Sequence, residues 1–205
     1  GGSDVGALET VARNEHGEWR LYGEKWFCSH ADADLALLLA RPDGAPAGTR
    51  GLGLFAMPRR LEDGARNRYR IVRLKDKLGT RSMASGEIKL EGALAYVVGD
   101  VRNGFKQMMD QVNLSRLSHG VRAAAMMRRC LNESLRVART RTAFGSKLID
   151  MPLVRKQLLK LMVPTEQALS MYAYTADVMG RAQRGEEGAT LLLRLLTPLY
   201  KFRAC

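Results

Sequence analysis

The sequence predicts an α+β protein: an antiparallel β-barrel or sandwich domain over residues 1–99, then part of an up-and-down helical bundle over residues 100–205. Two observations predict it. Up to Gly99 the apolar residues alternate, or fall in short runs bounded by Gly, Pro, Asn and Asp, as strands do. Beyond Gly104 they recur at the spacing of an amphipathic helix.

Residues 5–13 and 18–29 read as two strands meeting at a turn, Asn14-Glu15-His16-Gly17. Leu35 to Ala40 is a short continuous apolar run, the pattern of a buried strand. A Pro/Gly-rich loop from Pro42 to Gly51 leads into a strand from Gly51 to Met57, which Pro58 stops. Tyr69 to Leu74 and Gly86 to Leu90 add two more strands, and Ala95 to Val98 closes the set. Residues 104–140 then carry Phe105, Met108, Met109, Val112, Leu117, Val121, Ala124 and Ala125 at helical spacing. Ser115 or Ser118 marks a break in that helix, and Phe144-Gly145 is its expected C-terminal stop. A second helix spans residues 152–184, with Pro164 expected to kink or split it. Residues 187–205 begin a third.

The 205 residues are 46% apolar and 26% charged, ordinary for a globular protein and enough to bury a core. No apolar run reaches the length of a membrane span. The chain opens on glycine rather than methionine, so it reads as a piece of a longer protein. Cys28, Cys130 and Cys205 are odd in number and far apart, which points to a reducing compartment, the cytoplasm. His30, Asp32 and Asp34 read as alternating polar loop residues, not as a metal cluster. The net charge of +12 is uneven. Residues 1–100 hold 15 Lys/Arg against 14 Asp/Glu, and residues 101–205 hold 18 against 7, which suggests an anionic partner for the second half or an acidic segment elsewhere.

Two short runs carry chemistry. Gly1-Gly2-Ser3-Asp4 offers a hydroxyl and closely approachable backbone. Gly23-Glu24-Lys25-Trp26-Phe27-Cys28-Ser29 sets an indole on a strand that ends in another hydroxyl. A flat redox ring such as a flavin needs both features, an apolar wall for its face and hydrogen-bond donors at its rim. Taken singly, Trp26 also reads as strand core packing and Ser3 as a plain turn serine.

Five segments, in order, resemble the acyl-CoA dehydrogenase family over essentially the whole chain. Gly1-Gly2-Ser3-Asp4 is similar to the end of the family's Thr-Glu-x-x-x-Gly-Ser-Asp flavin segment, and Lys25-Trp26-Phe27-Cys28-Ser29 to its Trp-(Ile/Phe)-(Thr/Ser) strand. Lys75-Asp76-Lys77-Leu78-Gly79-Thr80-Arg81-Ser82, with Gly86-Glu87-Ile88 after it, resembles the Lys-Leu-Gly-x-Arg…Glu-Ile signature. Gly104-Phe105-Lys106 matches the Gly-Phe that opens the helical C-terminal domain, and Arg141-Thr142-Ala143-Phe144-Gly145 resembles Arg-x-x-Phe-Gly. Met126-Met127-Arg128-Arg129, Leu74 to Gly79 and Lys25-Trp26-Phe27-x-Ser29 are similar to the alkylation-response branch, flavoproteins that also bind DNA.

The resemblance implies a middle β-domain and the first part of a C-terminal helical domain. It implies FAD as cofactor and α,β-dehydrogenation of an acyl-CoA thioester, with hydride passing to flavin N5. By the same resemblance Ser3, Trp26, Phe27, Cys28 and Ser29 contact the FAD, with Cys28 or Ser29 standing for the family's Thr at the ring edge. Arg141 and Phe144 match positions that reach the FAD of a neighbouring subunit in a homotetramer. Pro152 departs from the glutamine many members carry at the adenine end. The alternative is a DNA-associated alkylation-response flavoprotein whose dehydrogenase activity is minor. Arg122, Arg129 and Arg136 recur every seven residues as one helix stripe, either a phosphate-tracking face for double-stranded DNA or a solvated face. No catalytic residue is expected in the chain. Some members place a glutamate base in Asp-Leu-Glu-Arg-Leu, which here reads Asn113-Leu114-Ser115-Arg116-Leu117, and the majority's base is expected beyond Cys205.

Overall fold

The computed structural model describes residues 4–205. The chain forms two compact units, residues 1–110 and 111–205.

The first unit is built from β1 (Val11–Glu15), β2 (Glu18–Cys28), β3 (Leu35–Pro42), β4 (Gly53–Pro58), β5 (Tyr69–Leu74) and β6 (Gly86–Val97). The strand order is β2-β1-β3-β4-β6-β5, and a further β2–β6 pairing closes the sheet into a barrel. Neighbours run antiparallel except β1 and β3, which meet in a short parallel contact at Val11↔Arg41 and Ala12↔Pro42. β1 is shorter than the sequence suggests. Val5–Ala7 is a 3-10 turn, and Glu15 pairs with Glu18, leaving His16-Gly17 as the turn.

β6 joins what the sequence reads as two strands. Gly86, Ile88 and Leu90 face the core, and then Ala93 and Ala95 do, so the alternation slips by one residue between them. The slip is a bulge: Leu21↔Ala93 is followed by Tyr22↔Glu91, with Gly92 left over at φ 88°. Only glycine takes that left-handed angle cheaply, and the bulge bends β6 from its partner β5 towards its partner β4. Ala12, Leu21, Phe55, Met57, Ile88 and Leu90 fill the barrel, with Trp19 edge-on to Phe55 at 5.5 Å. A second cluster of Leu39, Leu52 and Leu54 is packed by Val98, Phe105 and Met108, so residues 104–110 lie against β4 within this unit.

α1 (Gly104–Thr140), which belongs to the second unit from residue 111 onward, runs unbroken through Ser115 and Ser118, and the expected break there is absent. It ends at Thr140 rather than at Phe144-Gly145. Those two residues instead turn a small ribbon, β7 (Thr142–Ala143) against β8 (Ser146–Lys147), so the region expected to be wholly helical contains a hairpin. α2 (Pro152–Gln183) begins on proline, whose missing N–H is no loss at that position. It also continues through Pro164 instead of splitting. Pro164 is exposed, so the Lys160 carbonyl that it leaves without a partner stays within reach of water. α3 (Ala189–Ala204) packs its buried Tyr200 against Gly120 of α1, where any side chain would meet the ring. Thr165, Thr175 and Thr197 are buried, and each hydroxyl donates to the carbonyl four residues back. Among the described residues, no helix is long and apolar enough to cross a membrane.

Candidate functional site

The end of β2 departs from strand geometry at the residues the sequence singles out. β2 pairs Lys25 with Ile88 and Cys28 with Gly86, three steps on one strand against two on the other. The extra residue breaks the inside–outside alternation. Trp26 and Phe27, neighbours in sequence, therefore both stand out of the barrel, 68% and 60% exposed, while Cys28 packs on the core. The Lys75 ammonium lies 3.5 Å from the centre of the Trp26 ring and 5.6 Å from that of Phe27, so the two rings share one side. Two large aromatic faces held out of a closed barrel form a ready wall for a flat ligand.

Charge is arranged behind that wall. The Glu87 carboxylate on β6 binds the Lys75 ammonium at 2.5 Å and the Arg73 guanidinium at 2.7 Å. Both cations hold its carboxyl below the usual carboxylate range, Lys75 most strongly. Arg73 also stands 5.4 Å from the Trp26 ring.

The loop after Lys75 is fastened to the far end of the motif. Lys77 Nζ donates to the Met83 carbonyl and to Ser85 Oγ, both at 2.9 Å. Ser85 Oγ in turn donates to the Ser29 carbonyl at 2.9 Å, and Ala31 N–H bonds the Ala84 carbonyl. Ser29 thus sits exposed at a fixed strand end. Beneath the bulge, Lys25 Nζ donates to the Leu39 carbonyl at 2.7 Å. Burial pulls its ammonium down from 10.5 to about 8. Burial also pushes the Cys28 thiol up, partly opposed by Lys25, so Cys28 is a protonated thiol at neutral pH.

Of the residues predicted from sequence, Trp26, Phe27, Cys28 and Ser29 come together at this end of β2. Ser3 lies outside the described residues. Arg141 immediately precedes the β7–β8 ribbon of the second unit, and Phe144 lies in its turn. The Arg141 backbone is pinned at both ends, its N–H to the Val137 carbonyl and its carbonyl from Leu148 N–H. Phe144 is 99% exposed at φ 50°, beside Gly145 at φ 77°. A two-residue hairpin demands left-handed angles, and a phenylalanine held in one is strained by about 1 kcal/mol or more. Arg122, Arg129 and Arg136 are exposed along α1, with Arg129 paired to Glu133 at 3.0 Å. Asp32 and Asp34 both bind Arg59. Lys75, Arg73 and Glu87 were missed as site residues. Lys75 and Glu87 stand inside quoted motifs, but nothing in their spacing says that β5 and β6 carry them behind an indole on β2.

Comparison with known proteins decides the family. Residues 1–93 match the acyl-CoA dehydrogenase middle domain and residues 102–204 the acyl-CoA dehydrogenase C-terminal domain. The chain belongs to the acyl-CoA dehydrogenase family. Members of this family are FAD-dependent flavoproteins and oxidoreductases. The whole chain is 36% identical to acyl-CoA dehydrogenase family member 11 of Caenorhabditis elegans and 37% identical to AidB of Escherichia coli K12. It spans 34% and 37% of their lengths. Among solved structures, the apo form of Bd2924 and C. elegans ACDH-11 in complex with C11-CoA both superpose over all of the chain with a TM-score of 0.89. The identities are 36% and 35%, and the chain covers 42% and 36% of those chains.

Proposed function

We propose that the chain is part of an FAD-dependent oxidoreductase that dehydrogenates an acyl-CoA thioester between Cα and Cβ. The observation that carries the reading is the β2 bulge, which turns Trp26 and Phe27 outward side by side on a strand that otherwise alternates. An apolar two-ring wall that runs into the exposed Ser29 hydroxyl fits a flat ring with polar rims. Trp26 and Phe27 would hold the ring face, Cys28 and Ser29 its edge, and Ser3 the adjoining part of the cofactor. Arg141 suits a pyrophosphate, which its guanidinium grips through paired donors, and with Phe144 it would reach the FAD of a second copy. When bound, FAD supplies the hydride acceptor. Ser115 has no proton-accepting carboxylate, so the general base is assigned outside these residues. The C11-CoA complex of ACDH-11 supports an acyl-CoA substrate class. The test is reduction of the FAD-loaded protein in its full-length form. Loss of the flavin's visible absorbance on adding an acyl-CoA is expected, and no bleaching with short-, medium- or long-chain acyl-CoA would overturn the reading.

One observation favours a second activity, binding of double-stranded DNA. Among the described residues Arg122, Arg136 and Arg139 have no carboxylate partner along α1. Replacing Arg122, Arg129 and Arg136 by Gln should flatten the logarithmic salt dependence of DNA binding by about 2–3 units, near one per phosphate contact. An unchanged slope would leave the stripe as a solvated face.

A further inference from the structure

We propose that Lys75 is a positioning residue for Trp26: its ammonium, anchored by Glu87, covers one face of the indole, fixes the plane of the ring and reserves the opposite face for the flavin. The proposal rests on the flavin reading of the Trp26–Phe27 wall and deepens it.

Three observations converge on it. The first is distance: at 3.5 Å from the ring centre, the Lys75 ammonium lies on the π face itself. The second is burial: the Lys75 and Glu87 side chains are only 13% and 12% exposed, against 68% for Trp26. A lysine gives up hydration of that order when a carboxylate and a π face replace the water, and here both do. The third is the scaffold. Trp26 is on β2, Glu87 on β6 and Lys75 directly follows β5, and both outer strands are hydrogen-bonded to β6. The ammonium is therefore held by the sheet, not by a flexible surface arm.

An exposed tryptophan on a bulge would otherwise sample several rotamers, and a ligand stacking on it would have to select one of them. Lys75 makes that selection in advance. The same contact leaves a fixed positive charge behind the wall, which favours the electron-rich reduced form of a ring stacked in front of it. Arg73 is a weaker second cation at 5.4 Å, so Lys75 carries most of the effect.

The test uses a Trp19→Phe background, in which Trp26 is the remaining one of the two tryptophans. Lys75→Met should raise acrylamide quenching of Trp26 in the cofactor-free protein about twofold, weaken FAD binding about tenfold, and lower the midpoint potential of bound FAD. Lys75→Arg, which keeps a cation for the ring, should restore all three. Should Lys75→Met not fold, Glu87→Gln carries the test, because it keeps the ammonium but removes its anchor, with the same changes expected in quenching and in FAD affinity. Unchanged quenching and unchanged FAD affinity in a folded Lys75→Met or Glu87→Gln protein would overturn the proposal. If Trp26→Ala weakens FAD binding and Lys75→Met does not, Lys75 alone loses its role. If neither variant weakens FAD binding, the flavin reading of the wall fails and the proposal with it.

Discussion

Replacing Gly104 by valine is expected to destabilise the barrel unit by at least about 3 kcal/mol, among the largest losses a single residue there can cause. Gly104 starts α1 directly on the backbone of β4. A Cβ at that position would stand 2.2 Å from the Leu54 nitrogen, 2.3 Å from the Gly53 carbonyl carbon and 2.6 Å from the Gly53 Cα. All three are main-chain atoms. β4 is hydrogen-bonded to β3 through six registered residues and to β6 at Phe55↔Val97, so it cannot move aside without opening the barrel. The helix start has to lift instead, which withdraws Phe105 and Met108 from the Leu39–Leu52–Leu54 cluster. Gly79→Ala is the matched control, since an added Cβ there meets nothing within 4 Å. Urea unfolding followed by the emission of Trp19, which packs on the core, should show a large drop in midpoint for Gly104→Val and little change for Gly79→Ala. Equal midpoints would contradict the close seating of residues 104–110 on β4.

The second large effect is on the cofactor. Trp26→Ala should weaken FAD binding about 30-fold, and Trp26→Ala with Phe27→Ala more than about 100-fold, the scale of truncating aromatic anchors in a desolvated contact. Both rings are exposed before any ligand is bound, so the change in folding stability should stay within about 1–2 kcal/mol, the scale of the Lys75–Trp26 cation–π contact. That combination separates a ligand wall from core packing. Had Trp26 been a core residue, its loss would cost about 3–5 kcal/mol of stability. Isothermal titration with FAD beside urea unfolding of the same variants measures both quantities. Destabilisation without loss of affinity would place Trp26 in the packing and not in the site.

Strands and helices whose own residues carry the period were legible in the sequence. Tyr69 to Leu74 is a strand as read, and helical spacing begins at Gly104 in both sequence and structure. What the sequence obscured lies where one residue breaks a period for a tertiary reason. Gly92 shifts the phase of β6 by one residue, so a single strand looked like two. Pro164 suggested a split helix, yet its position on an exposed face makes the lost hydrogen bond tolerable and α2 continues. Phe144-Gly145 looked like a helix cap because Gly at a helix end and Gly in a tight hairpin need the same left-handed angle. At the site, the Lys25 to Ser29 motif announced an aromatic wall. Only the pairing register showed that Trp26 and Phe27 face the same way, and only the sheet order placed Lys75, Arg73 and Glu87 behind them. Strand registers are long-range facts, and single-chain periodicity does not hold them.

The central claim, that the flavin ring stacks on Trp26, is tested most directly by the fluorescence lifetime of bound FAD. An indole in contact with an excited flavin quenches it by electron transfer, which requires near contact, whereas Trp19 is half-buried and packs edge-on against Phe55 of the barrel core. The account predicts that FAD bound to the unmodified protein is almost dark, with a greatly shortened lifetime, and that Trp26→Phe restores its emission while Trp19→Phe does not. Bound FAD that is bright in the unmodified protein, or equally dark once Trp26 is gone, would contradict it.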